Sequence, residues 1–306
     1  MDRLRRLERI LFPGPYESFR KLSLREYLLL AVPGAILFSG LAALFPLSDL
    51  IAHDWRLYFS TGLRRGLEYY APWVTFLRYL PLPVLTGLTL TGLSLALIQR
   101  RAGRAGLVAA FLSQPVWWVL SVGQIDGLIL FGLTALPWLT PLVTLKPQAG
   151  YLALLRSRSY AIGGLIWLLV SMAIWGPWPL EPLRYFGAGP ERPYSDIGLW
   201  PWGLLAALPM MWFSRGDMDM LMTAGTFAAP HLHPYHYFLL VPALARTPGG
   251  LALALAAVSW APLLGRWLGP WAWYLGHLFP AALWIVLWRG RRLRPADQQA
   301  AVSRQQ

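Results

Sequence analysis

The chain has 306 residues, with 27 Lys and Arg against 14 Asp and Glu, a formal net charge of +13. Only 13% of it is charged and 56% is hydrophobic, where a soluble domain carries roughly 25% charged residues; the mean hydropathy is +0.45. An ordinary soluble fold is thereby excluded, and the lack of Cys excludes disulfides, thiolate nucleophiles and Cys-ligated metals.

In chain order, the N-terminal MDRLRRLERILFPGPYESFRKLSLREY is basic and amphipathic. It has no short apolar core and no small-residue cleavage site, so it reads as a lipid-surface helix over 2–12 rather than a signal peptide. Apolar runs follow at 26–45, 72–98, 106–122, 125–155, 160–178, 199–213, 218–230, 237–245, 249–264 and 271–288. Against a requirement of about 20 residues per span, several are short or Pro-broken. Such segments survive in lipid only where protein or a cavity satisfies the freed backbone. The expectation is an all-α polytopic membrane protein with about 8–10 transmembrane or half-spanning helices. No repeat or linker divides it, so residues 1–306 form a single transmembrane domain.

Arg and Lys set the orientation. With the N-terminus inside, segment 1–25, the turn at Arg100, Arg101 and Arg104, Arg156, Arg158, Arg215, Arg246 and the tail 289–306 fall on the cytoplasmic side. The first extracytoplasmic loop is 46–71, and both termini are cytoplasmic. The net charge therefore marks orientation rather than a nucleic-acid partner. The 17 Trp and 13 Tyr fit interfacial belts. Region 125–155 has two readings. One is a single kinked span. The other is a half-helix, a turn at Pro137–Pro141 and a return that lifts Lys146 outward.

Ionisable groups at the membrane edge are functional candidates because they are expensive to keep there. Asp54, beside His53 and Arg56, can act as a general base towards a sugar hydroxyl; the plainer reading is a hydrated, ion-paired loop carboxylate. Asp49 reads as a helix cap. Arg78 tops the second span. Gln124 and Asp126, in GQID, sit at a helix mouth that favours an anion or a hydroxyl-rich ligand, unless Asp126 only caps the helix. Lys146 either meets a lipid phosphate or snorkels to the cytoplasmic face. The acidic and basic residues of 177–198, Asp196 among them, read as a solvated loop. In HLHPYHY the spacing of His231, His233 and His236 is formally one for zinc, but Pro234 breaks the display and no carboxylate is near in sequence. A His that orients or protonates a substrate phosphate suits it better, beside the plainer interfacial role.

Four motifs in order, Asp54-Trp55 with Tyr69-Tyr70-Ala71-Pro72-Trp73, Gly123-Gln124-Ile125-Asp126, Lys146-Pro147, and Ala229-Pro230 with His236-Tyr237 and Pro242, resemble the GT-C superfamily of integral-membrane glycosyltransferases. Among these the chain is most similar to the bacterial alpha-mannosyltransferases of phosphatidylinositol-mannoside synthesis. The resemblance spans residues about 45–245. It implies inverting transfer of a hexose, mannose first, from a polyprenyl-phosphate donor to a lipid or glycan acceptor on the extracytoplasmic face. Asp54 is then the base, with no cofactor and no metal. His236 sits by the donor phosphate or acceptor; Gln124, Asp126, Lys146, Arg78, Tyr237 and His233 complete the expected substrate site. The alternatives are an inactive scaffold or lipid-binding subunit of the same fold, and a small transporter.

Overall fold

The computed structural model describes residues 20–45, 51–62, 70–146, 150–183 and 195–303, with side chains as far as Arg291. The expected helix over 2–12, Asp49, Tyr69, Pro147 and residues 184–194 of the loop 177–198 lie outside the described residues. All regular elements among the described residues are helical.

The helices used below are α1 (Leu24–Ala43), α2 (Leu82–Gln99), α3 (Arg104–Leu112), α4 (Gln114–Val122), α5 (Asp126–Thr134), α6 (Thr140–Val143), α7 (Arg158–Trp175), α8 (Leu204–Ser214), α9 (Met218–Ala228), α10 (Gly249–Val258) and α11 (Leu278–Ser303). Among the described residues five segments are long and apolar enough to cross a membrane: α1, α2, α7, Gly249–Leu268 and Pro270–Arg291. The pair α3–α4, bent by 49°, makes a sixth if it is one span. The chain is thus a multi-pass membrane protein. The remaining apolar runs form short helices and 3-10 segments, chiefly Pro72–Tyr79, Tyr151–Arg156 and Pro234–Arg246.

Local chemistry explains the starts and close contacts. Ser23 begins α1 through a capping box: its Oγ accepts from Glu26 N–H at 3.2 Å, and Glu26 Oε2 accepts from Ser23 N–H at 2.9 Å. Helices α2 and α5 run side by side in the same direction, Gly127 against Thr89 and Gly92 against the backbone of Phe131. A Cβ at either glycine would collide, so small residues set this separation, the usual device where lipid offers no hydrophobic drive between helices.

The two ends of α2 mark the two ends of the bundle, about 27 Å apart at 1.5 Å per residue. At one end, Leu82 packs with Ala52, Tyr70 and Trp73. At the other, Gln99 Nε2 donates to Thr134 O at 2.7 Å, and Arg20 N–H donates to Gln99 O at 2.8 Å. Arg291 Nη1 and Nη2 cap α8 there, donating to Ser214 O and Phe213 O at 2.7 Å each. The first and last described side chains therefore share the basic end.

A buried ion network ties that end together. Arg100 Nε meets both Asp219 oxygens at 3.1 and 3.2 Å. Arg246 Nη1 reaches Asp219 at 2.8 Å and Asp217 at 2.7 Å, and its Nη2 reaches Asp217 at 2.6 Å. Asp217 also caps α9, accepting from Asp219 N–H at 3.1 Å. Four charges thus clamp the C-terminal end of α2, the start of α9 and the end of Pro234–Arg246. Asp219→Asn leaves buried guanidinium charge uncompensated and should lower stability by about 3–5 kcal/mol. Thermal unfolding in detergent reads this directly, and an unchanged midpoint would contradict the role given to the network.

Candidate functional site

The end opposite the Arg cluster holds most of the sequence-predicted residues. Helix α4 stops at Gly123, whose φ of +71° favours a residue without Cβ. The bare Cα also lets Ala52 and Trp55 pack directly on it. Ala52 itself has φ +61° and its N–H donates to Ser121 O at 2.6 Å. The chain then makes a single π-turn over Trp55–Phe59, and Trp55 Nε1 donates to Leu80 O at 3.3 Å. A left-handed alanine and a π-turn are both unfavourable alone and concentrate at functional sites.

This docking sets the Gln124 amide under Asp54. Gln124 Nε2 donates to Asp54 Oδ2 and, at 3.2 Å, to Tyr235 OH. The Asp54 side chain is 18% exposed, and His53 Nδ1 stands 3.3 Å from its other oxygen. Asp54 is thus a held carboxylate at the rim of a polar cluster, not a freely hydrated one.

Beneath it lies a pair fully withdrawn from solvent. Lys146 Nζ donates to Asp126 Oδ2 at 3.1 Å, and both side chains are 0% exposed. The ammonium sits over the rings of Tyr235 and Tyr70, 4.9 and 5.2 Å from their centroids. The other Asp126 oxygen is buried without a hydrogen-bond partner among the described residues. Of the two readings for 125–155, the structure takes the return: α5 descends towards Gln99, the chain turns through 135–139 and α6, and Lys146 comes back beside Asp126. The return is fastened where helical bonding fails. Ala71 N–H donates to Leu145 O, and Trp73 Nε1 to Pro141 O, both at 2.9 Å. Two expectations change. Asp126 makes no side-chain cap; its carboxylate binds Lys146. Lys146 is enclosed against Asp126, so it neither snorkels to the cytoplasmic face nor stands open to a lipid phosphate.

The histidines form the far wall. His233 N–H donates to His236 Nδ1 at 2.9 Å, which leaves the proton of His236 on Nε2. That Nε2–H is buried without a partner among the described residues. A cavity of about 10 Å³ lined by Thr226, His231 and His236 has room for about one water. His236 stands edge-on to Tyr235 at 4.5 Å, and His233 stacks on Tyr235 at 5.1 Å. Burial, then the neighbouring His231, push His233 down to about 3, so it is neutral at ordinary pH. His233 Nδ1 meets Ser195 Oγ at 3.1 Å, and His231 Nδ1 meets Asp196 Oδ2 at 2.8 Å. Among the described residues no set of three His or acidic side chains is placed to hold a metal ion.

Asp54, Gln124, Asp126, Lys146, His233 and His236 therefore come together at one end. Two expected members do not. Arg78 points away at the surface, hydrogen-bonded to Tyr79 with its guanidinium over that ring at 4.6 Å. Tyr237 is fully buried on another face, its hydroxyl 3.4 Å from His277 Nδ1. Tyr70, Tyr235 and Asp196 belong to the cluster without having been singled out. Asp196 is buried rather than solvated; the apolar Ile-Gly-Leu-Trp run after it was the available signal.

Removing one member of the Asp126–Lys146 pair should destabilise by about 3–5 kcal/mol, whereas exchanging both for apolar residues should be near neutral. Lys146→Met and Asp126→Leu should thus each lower the detergent unfolding midpoint, and the double variant should recover most of it. A double variant as unstable as the sum would contradict this pairing. Asp196 supplies a pH test. Burial acts to raise its pKa, but the His231 hydrogen bond and charge and the Leu232 and Gly198 N–H groups outweigh it, holding the carboxyl at about 2 against an ordinary 3.8. A depressed carboxyl stabilises the fold above its unfolded value and loses that contribution as pH falls through the folded one. The difference in unfolding midpoint between the native chain and Asp196→Asn should be complete above about pH 4 and close towards about pH 2.

No protein-family model, curated protein or solved structure matches the chain.

Proposed function

We propose that the chain is a membrane glycosyltransferase that moves a hexose, mannose first, from a polyprenyl-phosphate donor to a lipid or glycan hydroxyl, with inversion, at the extracytoplasmic face. The observation that carries this reading is the Asp54 carboxylate held at the rim by Gln124. Through Tyr235 that contact continues to His236 and to the buried Lys146–Asp126 pair. One oriented carboxylate with neutral donors behind it suits a reaction whose leaving group needs no protonating acid.

In the step, the acceptor oxygen attacks the anomeric carbon and its proton passes to Asp54. The bond from that carbon to the phosphate oxygen breaks, and the electron pair stays on the lipid phosphate. A glycoside hydrolase needs a second carboxyl to protonate an alkoxide leaving group; a phosphate leaves without one. Donors that meet the developing phosphate charge lower the barrier. Both hydrogens of the Gln124 amide are taken by Asp54 and Tyr235, so the groups of that kind in the cluster are the Tyr235 hydroxyl, whose proton that contact leaves available, and the Nε2–H of His236 acting through the one-water cavity beside it. Lys146, enclosed, adds a positive field.

The test is transfer from a labelled polyprenyl-phosphate mannose to membrane lipids by the purified chain. Asp54→Asn keeps the side-chain shape and the contact with Gln124 in altered form, so the unfolding midpoint should hold while transfer falls by about 10²–10⁴. Equal transfer by both proteins removes Asp54 from the role of base.

A further inference from the structure

A second cavity lies not at Asp54 but at the basic end. It has a volume of about 500 Å³ and opens between the start of α1 and the start of α7. Its floor is polar: Tyr27 OH lies 3.3 Å from Thr134 Oγ1, and Gln99 closes the same corner through Thr134 O. Three cations line it, Arg20, Lys21 and Arg156, Arg20 being paired with Glu26, and no carboxylate among the described residues lines it. Arg156 is 7% exposed, whereas Arg20 and Lys21 stand at the open mouth. The rest of the wall is apolar, including Leu24, Leu28, Leu133 and Leu136.

The two helices that frame the opening are the least buried of the candidate spans among the described residues, each 6% buried over its apolar window. Leu24 and Leu28 both line the cavity and stand exposed, so its apolar wall continues onto the outer face of α1. A soluble anion has no use for an apolar wall beside a buried guanidinium, and an uncharged chain has no use for the cations. An amphipathic anion uses both. Arg offers a fork of donors matched to phosphate oxygens, and Lys a mobile point charge at the mouth. Basic pockets between membrane helices at the positively charged face have this chemistry.

We propose that this cavity binds an anionic phospholipid of the leaflet at the basic end, its phosphate on Arg156 and Lys21 and one acyl chain along the apolar wall. This site is separate from the Asp54 cluster and stands whether or not that cluster transfers sugar. The bound lipid bridges α1, α7 and the Gln99 end of α2, so it also holds the framing helices together.

The experiment uses the full chain, purified and delipidated in detergent, with bound lipid counted by native mass spectrometry. Phosphatidylglycerol, phosphatidylcholine and inorganic phosphate are the probes. One phosphatidylglycerol should be retained in preference to phosphatidylcholine, and excess inorganic phosphate should not displace it. Each basic residue near a membrane surface contributes about 1 kcal/mol, so exposed Lys21→Gln should weaken retention about fivefold. Arg156→Gln should weaken it further; if that buried change unfolds the chain, Lys21→Gln still gives the answer. Equal retention of the two lipids, or no effect of Lys21→Gln, overturns the proposal. Displacement by inorganic phosphate also overturns it, in favour of a free-anion site.

Discussion

The hydrogen bond between Lys146 and Asp126 is the constraint around which the Asp54 end is built. Taking both groups out of water costs several kcal/mol per ion, so the pair is a poor choice if stability were its only use. What it does is fix a turn. It joins the first residue of α5 to a point 20 residues later, closing a segment whose backbone leaves the helical pattern midway through a membrane-spanning bundle. Once that closure exists, Leu145 O and Pro141 O are placed to accept from Ala71 and Trp73, and the loop after Tyr70 acquires a fixed seat. The ammonium in turn holds two tyrosine rings, and one of them carries the hydroxyl that shares the Gln124 amide with Asp54. Without the pair, the rim carboxylate would have no rigid floor.

The apolar runs and the gathering of Arg at one end were legible in the sequence, because length and hydropathy decide what can cross lipid and basic residues collect on one side of it. The path of 125–155 was not, because a half-helix with a return and one kinked span have the same composition and leave Arg156 at the same end. Only the side-chain partner of Lys146 separates them. Asp54 and Gln124 were both identifiable as costly polar residues, but their contact spans 70 positions and depends on Gly123 having no Cβ. Tyr237 and Arg78 were misplaced for a shared reason. Both lie in 3-10 segments, where residues three apart eclipse and each step turns by about 120°. Val74 and Leu77 occupy the inward face of Pro72–Tyr79, so Arg78 must look elsewhere. In Pro234–Arg246 the same step carries Tyr237 away from His236 towards His277 and Phe279.

The two ends handle charge by different rules. At the Arg100 end, guanidinium groups are matched by Asp217 and Asp219, and further cations line a cavity there. At the Asp54 end, each carboxylate has one separate partner, Lys146 for Asp126, His231 for Asp196 and His53 beside Asp54, and aromatic rings and neutral imidazoles fill the space between. His236 is neutral by geometry, since its Nδ1 is already an acceptor, and His233 by burial. A neutral imidazole is a directional donor that brings no counter-charge of its own, so it does not compete with Lys146 for Asp126. The outcome is a cluster in which, among the described residues, Asp54 carries the carboxylate nearest to solvent and Lys146 is matched from below by Asp126.

That arrangement sets a problem for the proposed donor, and the problem bears on the mechanism. A lipid phosphate about 6 Å from the Asp54 carboxylate would be repelled by about 3 kcal/mol at an effective dielectric of 20. Hydrogen bonds to a charged acceptor contribute about 1.5–3 kcal/mol each, so two neutral donors are enough to offset it. The repulsion is not constant along the reaction. As the acceptor proton moves to Asp54, its negative charge is withdrawn while charge grows on the departing phosphate. The unfavourable contact present with the donor bound is relieved as the transition state forms, and differential interaction of this kind raises turnover rather than merely affinity. A second cation in contact with the phosphate would bind the donor more tightly but hold ground state and transition state alike. In the proposed reaction an enclosed lysine, matched by Asp126 and felt only as a field, would avoid that uniform tightening and leave the advantage to the proton transfer at Asp54.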